Sequence, residues 1–128
     1  MSQEPEPAMQ TEALAELAET ALDDLKGVDV CRIDVRGKTS ITDVIVIASG
    51  TSERHLHSLA DRVVQWAKEA GVKPLGVEGE RGGDWLLVDL GDVVVHVMSR
   101  EKRDFYNLEK LWSMDAGGAS SGSGSASA

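Results

Sequence analysis

Apolar residues return along the first part of the chain at the spacing of a helix. Leu14, Leu17, Ala18, Ala21, Leu22 and Leu25 stand at offsets of 0, 3, 4, 7, 8 and 11, one stripe of an amphipathic α-helix beginning near Met9. Its glutamates lie off that stripe, and Gly27 is expected to end it. From Val28 to Val35 the period changes to two: Cys31, Ile33 and Val35 alternate with Arg32, Asp34 and Arg36, as in a half-exposed strand near a sheet edge. After a turn at Gly37, Asp43 to Ala48 (DVIVIA) is almost wholly apolar and β-branched, which predicts an interior strand covered on both faces. Thr51 or Ser52 is the expected N-cap of a second helix, whose stripe is Leu56, Leu59, Ala60, Val63, Val64 and Ala67 and which Gly71 and Pro74 close. A short strand near Leu75 to Val77 and a Gly-rich loop from Glu78 to Gly83 follow.

The fifteen residues from Asp84 to Met98, DWLLVDLGDVVVHVM, read as a hairpin turning at Gly91 and Asp92. With that turn, Leu90 faces Val93, Val88 faces Val95 and Leu86 faces Val97, an aliphatic side that belongs in a core. The other side sets Trp85 opposite Met98, Leu87 opposite His96 and Asp89 opposite Val94. Two readings of this side stand: a surface for a partner, or packing of Trp85 and Met98 beneath the C-terminal segment with His96 simply hydrogen-bonded. That segment, Arg100 to Trp112, is expected to form a short helix or helical turns presenting Phe105, Leu108, Leu111 and Trp112, with Tyr106 beside them. The order of elements predicts an α/β domain, a mixed β-sheet with helices packed on one face.

Length allows one domain of the 128 residues. Residues 1–8 are acidic and proline-bearing and are expected to be disordered, residues 9–112 form the domain, and residues 113–128 are a Gly/Ser/Ala-rich tail without charge beyond Asp115. The formal net charge is −9, yet seven acidic residues precede the first basic one, Lys26, leaving 13 basic against 15 acidic groups. The body is therefore nearly neutral and offers no basic stripe for bare nucleic acid or an anionic membrane. The single cysteine, Cys31, forms no internal disulfide and suits a reducing compartment. No apolar run reaches the roughly 18 residues of a spanning helix, and nothing at the N-terminus resembles a signal peptide, so a cytoplasmic protein is expected.

Candidate chemistry is sparse. Gly37, Lys38 and Thr39 imitate the end of a phosphate-binding loop, but Arg32 occupies the first glycine position and the motif leads into a strand, so a turn is expected. Gly50 to Ser52 joins a strand to a helix, where an anion can bind but where capping alone suffices. In the loop from Gly76 to Gly83, Glu78 and Glu80 would repel a phosphate. His55 and His57 are two apart on a helix and His96 is on a strand, so no metal site is expected among them. His96 and Asp89 are diagonal neighbours with no nucleophile tied to them. Asp92 is expected to serve the turn, leaving Asp89 without a second carboxylate for a magnesium ion. No cofactor follows from these residues. Against this, aromatic residues are only 4% of the chain, yet Trp85, Phe105, Tyr106 and Trp112 crowd its last third. Trp and Tyr are enriched at binding hot spots; core packing is the competing reading, strongest for Phe105 and Leu108.

GKTSITD (37–43), SGTSERH (49–55), PLGVEGE (74–80), the hairpin stretch and YNLEKLW (106–112), in this order and spacing, resemble the ribosomal silencing factor (Iojap-related) family. The resemblance runs from about Leu14 to Trp112. It implies a non-enzymatic protein of nucleotidyltransferase-like fold, a homodimer when free, that binds the large ribosomal subunit through ribosomal protein number fourteen. The small subunit is then sterically excluded and translation repressed under nutrient or energy limitation. Carried onto this chain, the expected contact surface is Trp85, Leu87, Asp89, His96, Met98, Tyr106, Leu108, Leu111 and Trp112. Two alternatives are a nucleotide-binding or nucleotidyltransferase enzyme using Gly50 to Ser52, and a scaffold for ribosome assembly.

Overall fold

The computed structural model describes residues 10–79 and 84–110; the expected acidic terminus, the tail, and Leu111 and Trp112 lie outside the described residues. The elements run α1 (Thr11–Asp24), β1 (Val28–Asp34), β2 (Val44–Gly50), α2 (Glu53–Glu69), β3 (Gly76–Gly79), β4 (Trp85–Asp89), β5 (Val93–Ser99) and α3 (Arg100–Tyr106). Five strands form one sheet in the order β1-β2-β5-β4-β3. β2 and β5 are parallel and the other neighbours antiparallel. α2 belongs to the crossover between the two parallel strands, because a parallel pair cannot be joined by a tight turn.

α1 buries Leu14, Ala15, Ala18, Ala21 and Leu22, the expected stripe. Its end differs from expectation. The Gly27 N–H donates to the Leu22 carbonyl at 2.8 Å and the Lys26 N–H to that of Asp23 at 2.9 Å, the paired bonds of a Schellman motif. The left-handed position in that motif is Lys26, at φ 62°, one residue before the glycine. Gly27 is instead kept small by close approach, since a Cβ there would stand 3.0 Å from the Leu22 carbonyl. α2 closes by the same pair of bonds, from Gly71 to Lys68 and from Val72 to Ala67, and there glycine does occupy the left-handed position, at φ 89°. Ser52 is the N-cap of α2, its hydroxyl accepting from the His55 N–H.

β1 lies at an edge, as its alternation predicts, and β2 is buried throughout. The hairpin has the expected register: Trp85 pairs with Met98, Leu87 with His96 and Asp89 with Val94, while the Leu90 N–H donates to the Val93 carbonyl. Gly91 supplies the positive φ of the turn. The carboxylate that braces it is Asp89, accepting the Gly91 N–H at 2.9 Å, rather than Asp92, whose carbonyl accepts the Asp43 and Val44 N–H groups and ties the turn to β2.

α1 and α2 cover one face of the sheet. The main core lies between them and Val44, Val46, Ala48, Leu86, Val88, Val93, Val95 and Val97. Alternation sends Ile33, Val35, Ile45 and Ile47 to the other face, where they form a second, smaller cluster with Leu108. The third helix departs from the expected one-sided arrangement: α3 sits against this second face, at the ends of β2 and β5. It stops at Tyr106, with Asn107 left-handed at φ 49°, so the segment from Arg100 is a short helix followed by a further helical turn from 108. Among the described residues no helix is long and apolar enough to cross a membrane.

Candidate docking face

The face of the sheet away from α1 and α2 carries Trp85, Leu87 and Asp89 from β4, and Val94, His96 and Met98 from β5. α3 is brought to one end of it by a single buried side chain. Arg103 donates through Nη1 to the Val28 carbonyl and the Ser49 hydroxyl, each at 3.1 Å, through Nη2 to the Asp29 carbonyl at 2.6 Å, and by a two-pronged bond to Glu109. The planar guanidinium suits this task because its donors leave in fixed directions. The bond to Arg103 holds the Glu109 carboxyl below its usual range, and the same pairing raises Arg103. Asp29 offers its carbonyl from a left-handed conformation at φ 51°, within an irregular stretch of the β1–β2 register. At the start of α3 the Ser99 hydroxyl accepts from the Lys102 N–H.

So placed, α3 completes an aromatic cluster. The rings of Trp85 and Tyr106 are 4.8 Å apart, and Phe105 meets Tyr106 edge-on at 5.0 Å, an arrangement favoured by the ring quadrupoles. Lys102 Nζ stands 5.9 Å from the Tyr106 ring. The Trp85 Nε1–H donates to His96 Nδ1 at 3.0 Å. An acceptor nitrogen carries no proton, so His96 is neutral with its hydrogen on Nε2. Burial acts in the same direction, pushing the His96 pKa down to about 4.

Beside the cluster runs an apolar groove of about 260 Å³, lined by Ile41, Ile45, Leu87, Val94 and His96 with Thr39, Thr42 and Asp89. Ile41 is 81% exposed and Phe105 77%, unusual for such side chains, and Tyr106 is 41% exposed. Solvent-facing apolar groups of this kind make the face a candidate contact surface.

Of the residues expected to form that surface, Trp85, Leu87, Asp89, His96 and Tyr106 are together here. Met98 needs correction: it is fully buried, opposite Trp85 in the ladder, and supports the ring instead of meeting a partner. Leu108 is half-buried against the second apolar cluster. Phe105, for which core packing was the stronger expectation, is exposed instead, because α3 turns its Arg103 side to the sheet. Ile41 was not singled out; its signal was a lone aliphatic residue in an otherwise polar turn, TSITD. His96 pairs with Trp85 and not with Asp89, whose carboxylate is taken up by the turn.

The remaining motifs are occupied by local structure. The Lys38 and Thr39 N–H groups both turn back to the Val35 carbonyl, so the Gly-Lys-Thr stretch is a turn. A Cβ at Gly50 would stand 2.6 Å from Leu56, which accounts for that glycine. His55 joins Leu25 to the start of α2, with Nε2 bonded to the Leu25 carbonyl at 2.7 Å and Nδ1 accepting the Thr51 N–H at 3.0 Å. Among the described residues no three His, Cys, Asp or Glu side chains are placed to hold a metal ion.

Comparison with known proteins now bears on this face. The family model described as "Ribosomal silencing factor during starvation" matches residues 8–125. The chain is 48% identical over 100 residues to a ribosomal silencing factor of Haemophilus influenzae, covering 78% of this chain and 98% of that protein. It is 42% identical over 89 residues to the mouse protein named "Mitochondrial assembly of ribosomal large subunit protein 1", covering 67% of this chain and 39% of that one. An X-ray structure of a Chromobacterium violaceum protein superposes with a TM-score of 0.79 at 44% identity, covering 82% of this chain and 88% of that one. A crystal structure from Bacillus halodurans does so with 0.71 at 39% identity, covering 79% and 94%. With a family model spanning nearly the whole chain and relatives alike in sequence and fold, this chain belongs to the ribosomal silencing factor family.

Proposed function

We propose that this chain represses translation by obstruction: it docks on the large ribosomal subunit through ribosomal protein number fourteen and excludes the small subunit. The observation that carries this reading is the aromatic and aliphatic face of the sheet, where Tyr106, Phe105 and Ile41 lie open and Trp85 is half-buried beside an apolar groove. Such a face suits a protein surface better than a phosphate backbone, because it offers stacking and apolar contact with few cations. Its contact residues are Trp85, Leu87, Asp89, His96 and Tyr106, with Leu108 beside them. The work is done by occupying space, in the cytoplasm, by a protein that is a homodimer when free and needs no cofactor or catalytic group.

Sedimentation of purified subunits through sucrose decides the matter. With this protein present, joined ribosomes should fall and the protein should travel with the large subunit; a protein left at the top of the gradient with joining unchanged overturns the proposal. The name of the mouse relative favours a second reading, a role in assembling the large subunit. Preference for immature over mature large subunits in the same gradient would select it.

A further inference from the structure

Beside α3, at the carboxyl ends of the parallel strands β2 and β5, lies a polar cavity of about 220 Å³ lined by Asp29, Ser49, Arg100, Arg103, Asp104 and Glu109. Open α/β sheets bind ligands at this end of their strands, and none of these residues belongs to the docking face. The volume falls below the roughly 300 Å³ at which sites for drug-sized molecules begin, so an occupant is small.

Two of the six side chains are already satisfied. All five donors of the Arg103 guanidinium are engaged, and Glu109 takes two of them and balances the charge. The other four are not. Ser49 is 1% exposed; its oxygen accepts from Arg103 Nη1, but its own proton meets no acceptor among the described residues. Such a buried donor is costly unless the cavity supplies an acceptor. Arg100 reaches only the Asp29 carboxylate, at 3.8 Å, with both side chains well exposed. Asp104 has no ion pair or hydrogen bond among the described residues. Arg100 and Asp104 stand four apart on α3, one turn from each other on the same side, and yet do not pair. An occupant must therefore bring an acceptor for Ser49 and Arg100 and a cation for Asp104. Single charges fit poorly. A bare anion would face three carboxylates against two guanidiniums, and the carboxylates are not grouped to hold a metal ion.

We propose that this cavity binds a free α-amino acid, its carboxylate on Arg100 and the Ser49 hydroxyl and its ammonium on Asp104. An α-amino acid carries both charges on one carbon, and a carboxylate suits the planar fork of a guanidinium. The described lining contains no apolar side chain, which favours a small or polar amino acid over a bulky apolar one.

Titration of the full chain with glycine and with L-serine, followed by amide NMR, reads this directly. Saturable shifts should gather on the amides of Asp29, Ser49, Arg100 and Asp104. Acetate and ethylammonium, which each carry one end of the amino acid, should bind about tenfold more weakly or worse. Arg100→Gln and Asp104→Asn change exposed positions. Folded by circular dichroism, each should weaken glycine binding about tenfold, the loss of one charge-assisted bond. Glu101→Gln, on the same helix but outside the lining, should leave it unchanged. Shifts that never saturate in the parent reveal a cavity that holds only water and overturn the proposal. Glycine binding untouched in both Arg100→Gln and Asp104→Asn, or acetate binding as tight as glycine's, overturns it too.

Discussion

Trp85 and His96, diagonal neighbours two residues out of register on adjacent strands, are joined by a hydrogen bond from the indole Nε1–H to Nδ1 at 3.0 Å. The bond fixes the indole plane within the candidate docking face, where the Tyr106 ring packs against it at a tilt of 47°. Trp85→Ala removes both the ring and its order. Large-subunit binding should weaken by about 2 kcal/mol or more, roughly thirtyfold, with secondary structure retained by circular dichroism. Unchanged sedimentation of this variant would place the contact elsewhere.

His96 also sets a pH dependence. Its pKa is about 4 in the folded chain and about 6.5 when unfolded, so the unfolded state binds the proton first. The stabilisation from keeping the ring neutral is present above about pH 6.5 and is lost as the pH falls towards 4. Between pH 7 and 5 this one group should remove about 2 kcal/mol. Urea unfolding of the parent and of His96→Gln at both values isolates it, because the glutamine variant lacks this part of the slope.

Arg103 is the post on which α3 stands. Arg103→Met strips partners from Glu109, Ser49 and two backbone carbonyls at once, and should cost about 3 kcal/mol in urea unfolding. Arg103→Lys should recover little of it, since an ammonium cannot match the two-pronged bond to Glu109. Large-subunit binding should fall with both, as Tyr106 loses its place beside Trp85.

Lys26→Gly should stabilise the chain. A lysine in the left-handed position that ends α1 is strained where glycine is not, and relief is worth about 1 kcal/mol. A rise in the urea midpoint at constant slope checks it.

Much of this arrangement could be read from the residues alone. The hairpin register was legible because a Gly-Asp turn and strict alternation determine parity over the whole ribbon, and the two long helices because their stripes are long and regular. Lys26 was not, because helix-ending chemistry depends on a one-residue choice that Gly27 next door obscures. The side taken by α3 was not either. A seven-residue helix has too little periodicity to declare its buried face, and here that face is chosen by Arg103 reaching carbonyls far away in sequence. Met98 and Phe105 follow from that choice, one covered and the other left open. Nothing local distinguishes a tryptophan that packs from one that docks; the exposure of its neighbours does.

The parallel pairing of β2 with β5 has a consequence in time. Val44–Gly50 leaves the ribosome with one side of the strand bare, and that side is filled only when Val93–Ser99 has followed. Arg103 and Tyr106 come later still. A growing chain therefore completes the aromatic face of its sheet only when nearly all of its fold has been synthesised.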